Sequence, residues 1–321
     1  WISPPVIVAG FAIAAVTLAI IMQRKRKHYR KPLEQINVPK FTHKEIKEDP
    51  ERRQLFLDWM DKEGFSIITM SDEVQQQVEL YWDLSSKFFL EPMEYKEKFR
   101  GVPKYKDEIF EKKRQVNKGF LSVKEKEFLK LCLDDPTQTE PDDIEGFKEA
   151  FVNLCTSMEE MMIDFYRTIS SSIDETSMKP VHDKQTQDTV VGFLRQGSSV
   201  SMIDYKAVSK DDVKAVATRD APTENTHYPS STHHDTGFLT MIMCSDVPAL
   251  QVQDRVTKKW YMPEKYCNPK KDCFVILGLK MNRFATFSEA ESKKFLPTLH
   301  RVVLPFNTHR NSLLYFQDLP S

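Results

Sequence analysis

The apolar residues of this chain change their period partway along it, and that change limits the folds available. Phe147, Phe151, Leu154, Met158, Met161, Phe165 and Ile169 recur, after Ile144, at steps of three and four. This spacing lays one apolar stripe along a long helix, with the methionines filling core space. From about residue 188 the pattern turns into short β-rich runs: Phe238 to Met243, Phe274 to Leu277, Arg301 to Leu304 and Leu313 to Phe316, separated by Pro, Asp and Asn. Helices first and many short strands last predict a mainly β architecture with α: a double-stranded β-helix (jelly roll) core with helices packed outside it.

Upstream, Leu55, Phe56, Trp59 and Met60 repeat at helical spacing and stop at Gly64. Phe65 to Thr69 reads as a short strand, and a second amphipathic helix over Ser71 to Phe89 must end before Pro92. The sequence divides into a helix-rich region over residues 36–185 and a jelly-roll core over 186–321. With 321 residues, 40% of them hydrophobic, the chain can bury such a core. Forty-six Lys plus Arg stand against 47 Asp plus Glu, a formal net charge of -1. That balance gives no global field to gather nucleic acid, so the expected partner is a small organic molecule. The sequence carries no signal for oligomeric state.

The N-terminus has its own pattern. Residues 1–22 hold no ionisable side chain, and residues 24–31 read Arg-Lys-Arg-Lys-His-Tyr-Arg-Lys. The apolar run from Val6 to Met22 approaches the roughly 17 to 25 residues that span a bilayer as a helix. A signal peptide would carry its charge before the apolar run, the reverse of what stands here. Residues 1–23 are therefore expected to be a single-pass transmembrane anchor and 24–35 a basic juxtamembrane linker, with the large C-terminal part on the cytosolic side. The five cysteines are odd in number and lack C-x-x-C spacing, which fits reduced thiols on that side.

The chemistry concentrates late in the chain. Ser231-Thr232-His233-His234-Asp235 places a His and an Asp two residues apart just before an apolar strand, and alternation along extended chain would send His233 and Asp235 to one side and His234 to the other. His300 begins the strand-like HRVVL segment. Two imidazoles and one carboxylate on one face of iron(II) leave three positions open, the arrangement non-haem oxygenases use. Ten residues beyond His300, Arg310 and Ser312 form an i, i+2 pair that offers a guanidinium fork and a hydroxyl to a carboxylate. Taken singly, an H-x-D is weak and Arg310 also fits a structural ion pair. His227 and His309 read as solvated or hydrogen-bonded loop histidines.

With H-x-D, a distal His and R-x-S in this order, the chain resembles the iron(II)- and 2-oxoglutarate-dependent dioxygenases related to isopenicillin N synthase. INVPKF (36–41), DWMDKEGFSIIT (58–69), KFFLEPMEYKEKF (87–99), DVPALQV (246–252), FVILG (274–278) and TLHRVV (298–303) extend the likeness across residues 36–321. The resemblance implies iron(II) on His233, Asp235 and His300, 2-oxoglutarate as cosubstrate with its far carboxylate on Arg310 and Ser312, dioxygen, and ascorbate as a candidate accessory reductant. It further implies oxidation of a small organic substrate, by hydroxylation, desaturation or ring closure, with release of succinate and carbon dioxide. The family's Asn-Tyr-Tyr-Pro-like segment has its nearest match at Ile203-Asp204-Tyr205-Lys206, which assigns Tyr205 to the cosubstrate; a rival register from Leu194-Arg195 would leave only Ser198 and Ser199. The charged stretch from Lys210 to Pro229 reads as a long loop, and Leu-Lys-Met-Asn after Gly278 stands where the family has an acidic continuation. An iron oxidase that uses no 2-oxoglutarate, and a tethered non-catalytic binding protein on the same scaffold, are the competing readings.

Overall fold

The computed structural model describes residues 37–101, 118–174 apart from 124, 134, 136 and 137, then 184–212, 225–285 and 294–319. The expected anchor and basic linker lie outside these residues. Among the described residues no helix is long and apolar enough to cross a membrane. The chain separates into two units, one made of 1–38 with Gln253–Tyr261 and one of Pro39–Val252 with Met262–Ser321.

The elements run β1 (Lys40–Thr42), α1 (His43–Glu48), α2 (Pro50–Glu63), β2 (Phe65–Thr69), α3 (Asp72–Leu90), α4 (Met93–Glu97), β3 (Gly119–Val123), β4 (Lys126–Leu131), α5 (Phe147–Asp174), α6 (Lys184–Gly197) and β5 (Ser199–Tyr205). There follow β6 (Thr226–His233), β7 (Leu239–Met243), β8 (Leu250–Gln253), β9 (Trp260–Tyr261), β10 (Asp272–Leu277), α7 (Leu279–Ala285), β11 (His300–Pro305) and β12 (Arg310–Gln317). In the smaller unit Asp254 caps a turn, its Oδ1 accepting from the N–H groups of Val256 and Thr257 at 2.8 and 3.0 Å.

Local chemistry explains the helix ends. Thr42 and Glu45 form a capping box on α1. Asp49 caps α2, whose first residue is Pro50 and which stops at Gly64 with φ 83. Ser71 caps α3. These boundaries fall within a residue of those expected at Gly64 and Ser71.

Eight strands form the main sheet in the order β1-β2-β10-β7-β12-β5-β4-β3, and β6, β11 and β8 are neighbours in a second sheet. Strands β1 to β4 precede residue 186, so the helix-rich region and the jelly-roll region share one sheet. Side chains alternate across a strand, giving the main sheet two differently used faces. The outer face presents Leu129, Leu131, Val200, Met202, Leu313 and Tyr315 to a core completed by Phe147, Phe151, Met158 and Phe165 of α5 and Val78 and Tyr81 of α3. On the inner face Ile203 and Tyr205 pack with Ala249 and with Val302 and Leu304 of β11. The expected double-sheet core with helices outside is what this packing builds.

Two sequence expectations change. The loop ending at Pro229 is shorter, because β6 already begins at Thr226; residues 213–224 lie outside the described ones. His227 is not a solvated loop residue: it is buried in β6, stacked on Phe306 at 5.5 Å, with Nδ1 3.5 Å from Glu125. The stretch after Gly278 forms α7, and its first N–H groups have a task. Leu279 donates to the Asp235 carbonyl at 2.8 Å and Lys280 to that of Gly237 at 3.0 Å, so the unsatisfied donors of a helix start hold the loop that carries Asp235. The approach is close enough that a Cβ on Gly278 would lie 2.1 Å from the Gly237 carbonyl oxygen.

Gly278→Ala is accordingly expected to destabilise the fold by about 3 kcal/mol, because backbone has to move to admit the methyl. Urea unfolding measures this, and a surface Gly192→Ala control, which meets nothing within 4 Å, is expected to leave the midpoint in place or raise it.

Candidate metal centre

His233 closes β6, and His300 opens β11, the strand paired with β6; the two residues stand opposite each other in the register. Their ring centres lie 4.3 Å apart. Asp235 sits two residues past the end of β6, in the loop held by α7, so loop anchoring rather than strand alternation brings its carboxylate to the histidines. Asp235 Oδ1 is 3.6 Å from His233 Nε2 and 3.7 Å from His300 Nε2. Potential ligand atoms from the three residues fall within 4.8 Å of one another, and among the described residues this is the group able to hold a metal ion. His234, weighed above as pointing to the other side, is not part of it.

Each ligand has its other polar atom occupied. His233 Nδ1 donates to the Ser231 carbonyl at 2.6 Å, and His300 Nδ1 donates to the Thr298 carbonyl at 3.0 Å. A carbonyl can only accept, so both rings carry a proton on Nδ1 and turn Nε2 inward. The Thr240 hydroxyl donates to Asp235 Oδ2 at 2.6 Å, leaving Oδ1 for a metal. These are the outer contacts that orient ligands in metal sites. Thr298 is itself fixed, since its hydroxyl donates to the Gly64 carbonyl and accepts the Leu277 N–H.

The charges agree with that arrangement. Hydrogen bonding to Asp235 raises the His233 pKa above the ordinary imidazole value against the effect of burial, whereas burial lowers that of His300. Burial pushes the Asp235 carboxyl up, but His233, His300 and Thr240 together hold it below the usual carboxylate range. The centre without a metal therefore keeps an ionised carboxylate between two imidazoles, a donor set that fits iron(II). The His233 side chain is 41% exposed, against 9% for Asp235 and 5% for His300, so the centre opens on the His233 side.

Arg310 begins β12 and stands opposite Tyr205 of β5, with Ser312 opposite Ile203. Direct opposition puts Tyr205 on the same inner face as Arg310, and the guanidinium lies 5.6 Å from the ring. Ser198, from the rival register, instead donates to the Leu194 carbonyl. Burial, offset in part by Arg310, pushes the Tyr205 phenol up to about 12, so it stays a neutral donor. Arg310, Ser312 and Tyr205 are all buried.

The structure also supplies a partner that the sequence did not suggest. Arg310 Nη2 donates to Glu264 Oε1 at 2.9 Å and Nε to the Val247 carbonyl at 3.0 Å. Glu264 is fully buried and accepts three backbone N–H groups as well, from Ser245 at 3.1 Å, Ala249 at 2.7 Å and Leu250 at 2.8 Å. Arg310 is thus both the ion-pair residue of one sequence reading and still available for the other: its Nη1 is buried and has no hydrogen-bond partner. An unpaired buried guanidinium nitrogen is costly, and a carboxylate of 2-oxoglutarate would satisfy it. Glu264, Thr240 and the carbonyls of Ser231 and Thr298 went unrecognised in the sequence. Thr240 alone left a trace, as the hydroxyl interrupting an apolar strand; a backbone carbonyl leaves none.

No protein-family model matches this sequence, and no curated protein sequence does. Solved structures do resemble the fold. A full-length Neurospora crassa protein, solved in complex with alpha-KG and 5-formyluracil, superposes with a TM-score of 0.65 at 18% identity over 90% of this chain and 86% of that one. DAO1 from Arabidopsis thaliana, a dioxygenase for auxin oxidation solved with 2-oxoglutarate, gives 0.60 at 16% identity over 89% and 94%. JOX2, solved with 2OG, Fe and JA, gives 0.64 at 16% identity over 92% and 79%. The chain has the fold of the iron(II)- and 2-oxoglutarate-dependent oxygenases.

Proposed function

We propose that this protein is an iron(II)- and 2-oxoglutarate-dependent oxygenase of a small organic substrate. The observation that carries the reading is the combination of three convergent ligands, each with its spare atom tied down, and a buried guanidinium with one nitrogen unpaired on the adjoining face. His233, Asp235 and His300 would hold the metal. Arg310 would bind the far carboxylate of 2-oxoglutarate, with Ser312 and Tyr205 as hydroxyl donors beside it. Bound iron(II) would supply the activation of dioxygen, coupled to oxidative decarboxylation of 2-oxoglutarate to succinate and carbon dioxide.

The chain's own groups prepare that chemistry. Glu264 holds Arg310 in place and balances its charge, so a dianionic cosubstrate meets a positioned donor rather than a mobile one. Thr240 and the two carbonyls fix the ligand orientations before a metal arrives, which reduces reorganisation on binding. Ile203, Val302 and Leu304 line the space between the sheets with apolar surface and limit water there. The similar structures are associated with compounds as different as 5-formyluracil and auxin, which supports the reaction class and leaves hydroxylation, desaturation and ring closure as open outcomes. The expected membrane tether also stands as a proposal, supported by the uncharged run Val6 to Met22 and the basic run that follows it.

Three measurements bear on these readings. In anaerobic iron(II) titration, Asp235→Ala and His300→Ala are each expected to weaken binding at least tenfold and to abolish succinate release; unchanged binding in both would sink the metal assignment. Arg310→Gln is expected to raise the 2-oxoglutarate concentration needed for half-maximal succinate release by tenfold or more with iron binding retained. An unaltered requirement would favour an oxidase that does not use 2-oxoglutarate. Expression of the full chain and of a form lacking residues 1–35, followed by membrane fractionation, is expected to find the full chain in the pellet and the shortened form in the supernatant.

A further inference from the structure

Two thiols meet beside the residue that holds Arg310. Cys244 follows β7, and Cys267 follows the short turn Pro263–Tyr266 that carries Glu264. The backbone brings both to Asp272 at the start of β10. The Cys244 N–H donates to the Asp272 carbonyl at 3.0 Å, and the N–H of Asn268, one residue past Cys267, donates to Asp272 Oδ2 at 2.8 Å. The Cys267 thiol donates to the Pro263 carbonyl at 3.5 Å. In the hydrogen bond between the two thiols, Cys244 is therefore the donor and the Cys267 sulfur the acceptor. Cys244 is buried, whereas Cys267 is partly exposed.

Both cysteines flank hydrogen bonds of Glu264. Ser245, next to Cys244, gives its N–H to Glu264 Oε1 at 3.1 Å, the same oxygen that accepts from Arg310 Nη2 at 2.9 Å. On the other side the Cys267 N–H donates to the Glu264 carbonyl at 3.3 Å. A disulfide holds its sulfurs about 2.0 Å apart, much closer than two hydrogen-bonded thiols stand. Forming one draws the turn against the end of β7, with Glu264 attached to both, and hydrogen bonds fixed on the carboxylate weaken as it shifts. Burial pushes the Cys244 thiol up, so it stays protonated, and the partly exposed Cys267 is the sulfur that an oxidant reaches.

We propose that Cys244 and Cys267 are a redox modification site, joined as a disulfide by hydrogen peroxide, and that the bond shifts Glu264 and so weakens the hold of Arg310 on 2-oxoglutarate. Peroxide transfers one oxygen to the Cys267 sulfur, giving a sulfenic acid and one water. The Cys244 sulfur then displaces the hydroxyl, which leaves with the Cys244 proton as a second water. The two thiols together lose two electrons, and one peroxide is reduced to two waters. The bond rests on the thiol geometry alone; its effect rests on the oxygenase reading of Arg310.

The test treats the reduced full chain with hydrogen peroxide and removes the excess before iron(II) is added. Peptide mapping by mass spectrometry without reductant is expected to find Cys244 joined to Cys267, and dithiothreitol to undo the link. Calorimetric titration of 2-oxoglutarate under nitrogen, with iron(II) present, is expected to show at least tenfold weaker binding by the oxidised chain, restored by dithiothreitol. Cys267→Ser and, independently, Cys244→Ala are expected to keep full affinity through the same treatment. A Cys267 left unmodified, carried on to sulfinic acid or joined to Cys273 instead overturns the site. Equal affinity of the linked and reduced chains, or a loss that persists in both variants, overturns the coupling. If the reduced chain binds no 2-oxoglutarate while the Cys244–Cys267 link still forms, the oxygenase reading fails and the redox site stands.

Discussion

The structure depends on a main sheet whose two faces answer to different demands. Alternation along each strand sends Leu313 and Tyr315 toward the helices and Arg310 and Ser312 toward the second sheet, so a single-residue slip in β12 would exchange core for chemistry. Register is thus enforced by the cost of burying an arginine among phenylalanines on one face and of opening the core on the other. Helix α5 serves the site only indirectly. By burying the outer face with Phe147, Phe151 and Phe165, it makes the placement of Tyr205, Arg310 and Thr240 on the inner face the one stable choice.

Within that frame the centre is arranged before any metal binds. Two imidazoles donate their Nδ1 protons to carbonyls two residues upstream, and a threonine hydroxyl occupies one oxygen of Asp235. The remaining ligand atoms converge because nothing else is left for them to do. Glu264 plays the corresponding part for Arg310. A buried ion pair of this kind adds little net stability, since desolvation offsets the attraction, but it gives the guanidinium one position. The loop carrying Asp235 is held from behind by the start of α7, across a contact between Gly237 and Gly278 that leaves no space for a side chain.

Local signals in the chain were legible where the physics is local. Helical spacing of apolar residues, the stripe of α5 and the punctuation by Gly64 and Pro92 place α2, α3 and α5 to within a few residues, because helix ends and amphipathic faces are set by near neighbours. The apolar runs mark β7, β10, β11 and β12, but those of β10 and β12 start later than the strands do: β10 begins at Asp272 and β12 at Arg310, polar residues that an apolar run does not include. His227 was misplaced for a related reason. A lone histidine next to turn-forming residues gives no hint that pairing with β11 will bury it.

The sequence by itself determined the candidate residues and their order: His233, Asp235, His300, Arg310 and Ser312, residue types suited to a metal and to a carboxylate. It also determined the helix-then-strand plan, since periodicity is a property of the chain alone. Tertiary structure decided which atoms face the metal, that Glu264 rather than solvent holds Arg310, and that Tyr205 rather than Ser198 lies beside it. It also decided that Cys244 and Cys267, scattered thiols in the sequence, meet beside Glu264. Those facts arise from contacts between residues far apart in the chain, such as Tyr205 with Arg310, and sheet register at such separations is set only when the whole core packs.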